Sequence, residues 1–163
     1  MRGFMPATKL TTKWCVGEAD ADVIADARKI RETVFIKEQL VSYDDEMDGT
    51  DGEATHLVAY GGGVPAATGR IRVVCGEEGL PQAFLGCIAV LKERRGERPG
   101  KFIVRLLIER AVADGFIKVH IHSQTAVHGF YEKLGFVAYG DEFDEAGIRH
   151  ISMVCGSNYC SPD

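Results

Sequence analysis

Apolar residues recur along the chain in two periods, and the switches between them lay out the elements. Residues 12–16 have strand composition. From residue 21, Val23, Ile24, Ala27, Ile30 and Val34 fall at helical spacing. Asp20 or Asp22 serves as the cap, and the helix runs on through residues 31–39 with a break near Val34. Residues 55–60 predict a strand, 61–63 a glycine turn and 65–74 the second strand of a hairpin. A loop over 75–82 leads to a strand at 83–91. Ile103, Val104, Leu107, Ile108, Ala111 and Val112 then mark an amphipathic helix over 102–113, stopped by Gly115. Ile117, Val119 and Ile121 alternate with Lys118, His120 and His122 as a short strand. A second helix over about 125–134 ends at Gly135, and residues 136–143 and 149–155 predict a closing pair of strands. The order β-α-β-β-β-α-β-α-β-β is a mixed α/β chain. It predicts a single domain with its core over about 12–155 and flexible tails at 1–11 and 156–163.

Composition narrows the classes. At 163 residues, with 45% hydrophobic and 26% charged residues, the chain is an ordinary globular protein that can bury a sizeable core. A net charge of −5 argues against general nucleic-acid binding, which draws affinity from excess Lys and Arg. No apolar run approaches a membrane span, and the N-terminus lacks a signal-peptide core, so a cytoplasmic location away from membranes is expected. Cysteines at 15, 75, 87, 155 and 160 show no zinc-like spacing and predict reduced, mostly buried thiols, with Cys155 and Cys160 able to pair on oxidation. Residues 44–53 carry five carboxylates in their first eight positions and two glycines, which predicts a surface loop.

Candidate chemistry begins at residues 86–104, where a strand breaks into a basic, glycine-containing turn ahead of a helix. Backbone N–H groups of such a turn converge on one spot, and the helix dipole favours negative charge there. Arg94, Arg95, Arg98 and Lys101 add four positive charges within eight residues. A phosphate-bearing ligand is predicted. Pro99 suits a first helical turn, whose N–H needs no internal partner, and removes one phosphate donor. His120, His122 and His128 suggest a metal; His120 and His122 share a strand face, but no third ligand has recognisable spacing.

The string Phe130-Tyr131-Glu132-Lys133-Leu134-Gly135-Phe136, following a strand and a basic glycine loop, resembles the GNAT superfamily of N-acetyltransferases. The acetyl-CoA loop pattern [Gln/Arg]-x-x-Gly-x-[Gly/Ala] falls on residues 95–100. Arg95 and Gly100 match, and Arg98 stands where the first pattern glycine is expected. Arg98 costs the site little if its Cβ points outward and its φ is ordinary. Phe143-x-Glu145-Ala146-Gly147-Ile148-x-His150-x-x-Met153 and Arg31-x-x-Val34-Phe35-x-x-Glu38-Gln39 resemble the ElaA/YjcF-type branch.

The resemblance implies the GNAT fold, a central, mostly antiparallel mixed sheet flanked by helices. It implies acetyl-CoA as cosubstrate, no metal and a homodimer. Ile88, Ala89 and Val90 would pair with pantetheine. Arg95, Gly96, Glu97, Arg98, Gly100 and Lys101 would hold the pyrophosphate, with close backbone approach at the two glycines. Gln124 contacts the cofactor arm or caps the helix. Cys87, where relatives often carry arginine, is a core thiol or a substrate contact. Tyr131, protonated at neutral pH, would donate to the departing thiolate. His150 is the first candidate base, as the histidine at the matching position of glyphosate-acetyltransferase-like relatives, with His56 and Glu46 behind it. Glu46 and Asp48 resemble the branch's Glu-x-Asp feature. With His56 they are placed on the acceptor side, where carboxylates favour a cationic amine. The function so implied is acetyl transfer to a primary amine by direct attack. Two alternatives are an acyl-homoserine-lactone-synthase-like acyltransferase and a CoA-binding sensor without turnover.

Overall fold

The computed structural model describes residues 9–76 and 79–156; the expectation of flexible tails falls on residues largely outside these. The strands are β1 (Leu10–Val16), β2 (Ala54–Gly61), β3 (Val64–Cys75), β4 (Pro81–Val90), β5 (Lys118–Gln124), β6 (Val137–Glu145) and β7 (Ile148–Gly156). The helices are α1 (Ala21–Arg31), α2 (Tyr43–Glu46), α3 (Pro99–Ala113) and α4 (His128–Glu132). All seven strands form one sheet in the order β1-β2-β3-β4-β5-β7-β6. Every pairing is antiparallel except β4 with β5.

Period-two alternation lets one strand serve two cores. Leu57 and Ala59 of β2 face α3 and pack with Ile103, Val104, Leu107 and Ala111. Val58 and Tyr60 face α1 and pack with Val23, Ile24, Ala27 and Ile30. Gly69 makes the α3 contact close, since a Cβ there would lie 2.6 Å from Leu107 Cδ1. The side chain of Asp20 caps α1 by accepting from the N–H groups of Asp22 and Val23 at 3.1 Å. The break near Val34 is a change of winding. Residues Glu32–Glu38 are π-helical, with the N–H of Gln39 donating to the Val34 carbonyl at 3.1 Å. Helix α3 starts at Pro99, one turn earlier than apolar spacing indicates, because its first turn faces the cleft and not the core. The second predicted helix is a 3₁₀ turn over Thr125–Val127 followed by α4.

The acidic segment departs most from expectation. It coils into α2 and a 3₁₀ turn over Asp51–Glu53, and Asp51 is only 6% exposed. The turn packs against the end of β1, where a Cβ on Gly17 (φ 58°) would lie 2.8 Å from the Gly52 carbonyl oxygen. Asp51 Oδ1 accepts from Nη1 of both Arg31 and Arg70 at 2.8 Å, and Oδ2 accepts from Arg28 Nε at 3.1 Å. Arg28 also pairs with Glu18. Arg31, 1% exposed, donates from Nε to Glu46 Oε1 at 2.8 Å and from Nη2 to the Glu46 carbonyl at 3.0 Å. Five carboxylates look like solvated surface in sequence, but three guanidiniums from α1 and β3 pull one of them inside.

One further expectation is corrected. Arg98 has φ 57° and ψ 39°, a left-handed conformation, because the chain must reverse there to enter α3. Cys155 is disulfide-bonded, the state the sequence left open for it beside the reduced one; the suggested partner, Cys160, lies outside the described residues.

Burial alone would push the Asp51 carboxyl up, but the Arg31 charge and hydrogen bonds from Arg31 and Arg28 override it and hold the group at about 2. A depressed carboxylate pKa stabilises the fold above its ordinary value and loses that contribution as pH falls through the folded value. Wild type should therefore lose about 2 kcal/mol between roughly pH 4 and pH 2 that Asp51→Asn does not lose. At neutral pH, Asp51→Asn strands buried guanidiniums and should cost about 3–5 kcal/mol in denaturant unfolding.

Candidate active site

The site begins where β4 and β5 part. They pair through Ala83↔Val119, Phe84↔His120 and Leu85↔Ile121 only. Beyond that point β5 continues against β7 as far as Gln124↔His150. Strand β4 continues against β3 alone, with Ala89 opposite Thr68 and Val90 opposite Ala67. The register of β4 slips between Thr68 and Arg70, and the residue at the slip is Cys87, with φ 49°. This bulge turns the strand and leaves one backbone edge of Ile88–Val90 without a strand partner.

A cleft of about 1400 Å³ opens there. Ile88, Ala89 and Val90 line one wall, and Gln124, Tyr131 and His150 line the other. Arg95, Arg98, Gly100 and Lys101 lie at one end, with Glu46 and Asp48 also on the lining. The π-helical segment contributes Val34, Phe35 and Glu38. Gly96 sits in the 3₁₀ turn Lys92–Glu97, where a Cβ would meet nothing within 4 Å; the Glu97 side chain lies outside what is described. His56 is not brought to the cleft. It is 1% exposed, donates from Nε2 to the Asp51 carbonyl at 3.0 Å, and is kept neutral by burial.

The basic end fits a phosphate group on this chain's own geometry. The Arg98 side chain does not cap α3, so among the described residues the N–H groups of its first turn have no side-chain partner, and Pro99 occupies the first helical position. Gly100 keeps the approach open, because a Cβ there would already touch Val90 and Phe130 at 3.4 and 3.7 Å. Arg95 is less free than its charge implies. It donates to both Glu38 carboxylate oxygens at 2.7 and 2.9 Å and from Nε to the Val90 carbonyl at 3.2 Å. Gln124 donates from Nε2 to Gln39 Oε1 at 2.8 Å, which ties β5 to the π-helical segment.

Tyr131 is buried between Phe130 and Phe136, both edge-on to it. Burial pushes its phenol above the ordinary value, so it remains a proton donor across the physiological range. His150 Nδ1 is 2.7 Å from the Ile148 carbonyl, which only accepts, so that nitrogen carries the hydrogen. Its Nε2 lies 3.5 Å from Glu145 Oε2. Glu145 Oε1 lies 3.4 Å from His122 Nδ1, and this hydrogen bond leads the causes that lower the Glu145 carboxyl. Of the three histidines raised as metal ligands, His120 and His122 both meet the Phe84 ring, His122 also lies by Glu145, and His128 lies by Glu132.

Glu46 is held by Arg31, yet burial dominates and pushes its carboxyl up. Burial likewise pushes the neighbouring Cys87 thiol up, to about 12, against the opposing charges of Arg31 and Arg70. Cys87, read as a core thiol or a substrate contact, is on the cleft lining, and Arg31 supports Glu46 from behind it. Arg70 was missed as a site residue, because its place depends on strand register.

Comparison with known proteins was consistent with this geometry. Residues 20–156 match the family model described as "Acetyltransferase (GNAT) domain". The uncharacterized protein YyaT of Bacillus subtilis is 40% identical over 139 residues, covering 83% of this chain and 88% of that protein. The uncharacterized N-acetyltransferase YjcF of the same organism is 38% identical over 133 residues, covering 80% and 91%. An acyl-CoA N-acyltransferase of Pseudomonas aeruginosa superposes with a TM-score of 0.80 at 25% identity, covering 91% of this chain and all of that one. Escherichia coli ElaA superposes with a TM-score of 0.78 at 22% identity over 90% and 99% of the two chains.

A left-handed non-glycine residue costs roughly 1–2 kcal/mol, part of which a more flexible unfolded chain offsets. Arg98→Gly should therefore raise the thermal midpoint of the free protein, whereas Arg98→Ala should not.

Proposed function

This chain belongs to the GNAT family of acetyltransferases, and we propose that it moves an acetyl group from acetyl-CoA to a primary amine of a small molecule or peptide by direct attack. The divergence of β4 and β5 beside the uncapped start of α3 carries this reading. It offers an extended backbone edge that runs into an anion site within one cleft, matching an acyl-pantetheine arm that ends in a pyrophosphate.

In this reading Ile88–Val90 pair with the arm as an added strand. Gly96, Glu97, Arg98, Gly100 and Lys101 receive the pyrophosphate through backbone N–H groups and charge. Arg95 swings from Glu38 to join them, and Gln124 steadies the arm from β5. Tyr131 protonates the thiolate as it leaves. His150 takes the proton of the attacking amine at Nε2, and Glu145 stabilises the imidazolium that results. Glu46 and Asp48 face the cationic acceptor. His56 has no part in the chemistry.

Calorimetric titration with acetyl-CoA, followed by thiol release with a panel of amines, tests the proposal. Binding and amine-dependent release are expected. Binding without release from any amine would point to a sensor, and a requirement for an acyl carrier protein would point to a lactone-synthase-like enzyme. Tyr131→Phe should lower turnover by about a hundredfold or more while binding of acetyl-CoA is retained, the scale of a lost general acid. His150→Ala should lower turnover and change the pH profile; an unchanged profile contradicts the base role.

A further inference from the structure

Residues 70 and 72 lie on one face of β3, two positions apart, and both are arginines lining the cleft. Arg70 is 6% exposed. Its Nη1 donates to Asp51 Oδ1 at 2.8 Å and its Nη2 to Asp48 Oδ2 at 3.4 Å. Its Nε is fully buried and has no hydrogen-bond partner. A buried donor left unpaired is costly, and a fold tolerates it where a ligand supplies the acceptor.

Arg72 is half-buried, and among the described residues it makes no hydrogen bond or ion pair. The interior cluster sets Arg28, Arg31 and Arg70 against Asp51, Glu46, Asp48 and Glu18. Arg72 is a further cation on this wall that none of these carboxylates pairs with.

Strand register puts the pair beside the reacting end of the cleft. Arg70 is opposite Gly86, one residue before the Cys87 bulge, and Arg72 is opposite Phe84. Gly86 has open space where a side chain would be, so no cross-strand side chain stands opposite Arg70. Phe84, with His122 edge-on at 5.4 Å, makes an apolar wall next to Arg72. Carboxylates and guanidiniums on one lining suit a molecule carrying both charges.

We propose that the acceptor is a zwitterion, an amine with a nearby oxyanion (carboxylate or phosphate) that takes the Arg70 Nε hydrogen bond and the Arg72 ion pair. This rests on the acetyl-transfer reading above and adds the class of acceptor to it. A simple alkylamine or polyamine leaves both arginines unanswered.

Thiol release at saturating acetyl-CoA is measured with matched acceptors: phenylalanine, phenylalaninamide and phenethylamine, and O-phosphoethanolamine beside ethanolamine. The two series separate carboxylate from phosphate. At least one oxyanion-bearing amine should exceed its uncharged-end partner about tenfold or more in kcat/KM, the scale of a charge-assisted hydrogen bond. Arg72→Gln should bring that ratio close to one, and Arg72→Lys should keep part of it. Amines that react with no preference for the oxyanion, or a ratio unmoved by Arg72→Gln, overturn the proposal and leave acetyl transfer standing. Release with no amine at all overturns both.

Discussion

Two parallel strands that pair for three residues and then separate are the constraint on which the rest of the molecule depends. A sheet ordinarily closes every backbone donor and acceptor, and an interior strand with one open edge has to be held open. The Cys87 bulge turns β4 away. The α3 helix, seated over Gly69, fixes β3 and β4 from one side. The π-helical segment, tied to β5 through Gln39 and Gln124, holds the other wall in place. The fold thus spends regular structure to keep a cleft.

The Asp51 hub is the second support. It lies on the α1 side of the sheet and anchors the acidic segment, so that Glu46 and Asp48 reach the cleft in place of solvent. Its charges come from α1, β3 and the segment itself, so they tie the acidic segment to a helix and a strand that already pack together. Replacing any one of these groups would leave its partners buried and unpaired, which is why the cluster is costly to break, although a buried ion network is not inherently stabilising.

Much of this was legible in the residues. Element order followed from the two apolar periods, because in this chain helices and strands each bury one clean face. Tyr131, the basic turn and Ile88–Val90 were found through motifs that are local in sequence, and all of them line one cleft. The unread parts share one physical origin. Asp51 looked solvated because its partners stand 20 and 19 positions away. His56 looked available because nothing local shows that β2 turns it inward. Arg98 looked ordinary because a backbone angle is set by where the chain must go next. The winding change at Glu32–Glu38 left only a hint, a break near Val34.

The central claim is that the open edge of β4 and the first turn of α3 together receive an acyl-CoA. Amide hydrogen exchange with and without acetyl-CoA tests it most directly. The account predicts that added acetyl-CoA slows exchange at Ile88–Val90 and at Gly100 and Lys101, while the paired amides of β2 stay as they were. Binding of acetyl-CoA with no new protection at either segment would contradict it.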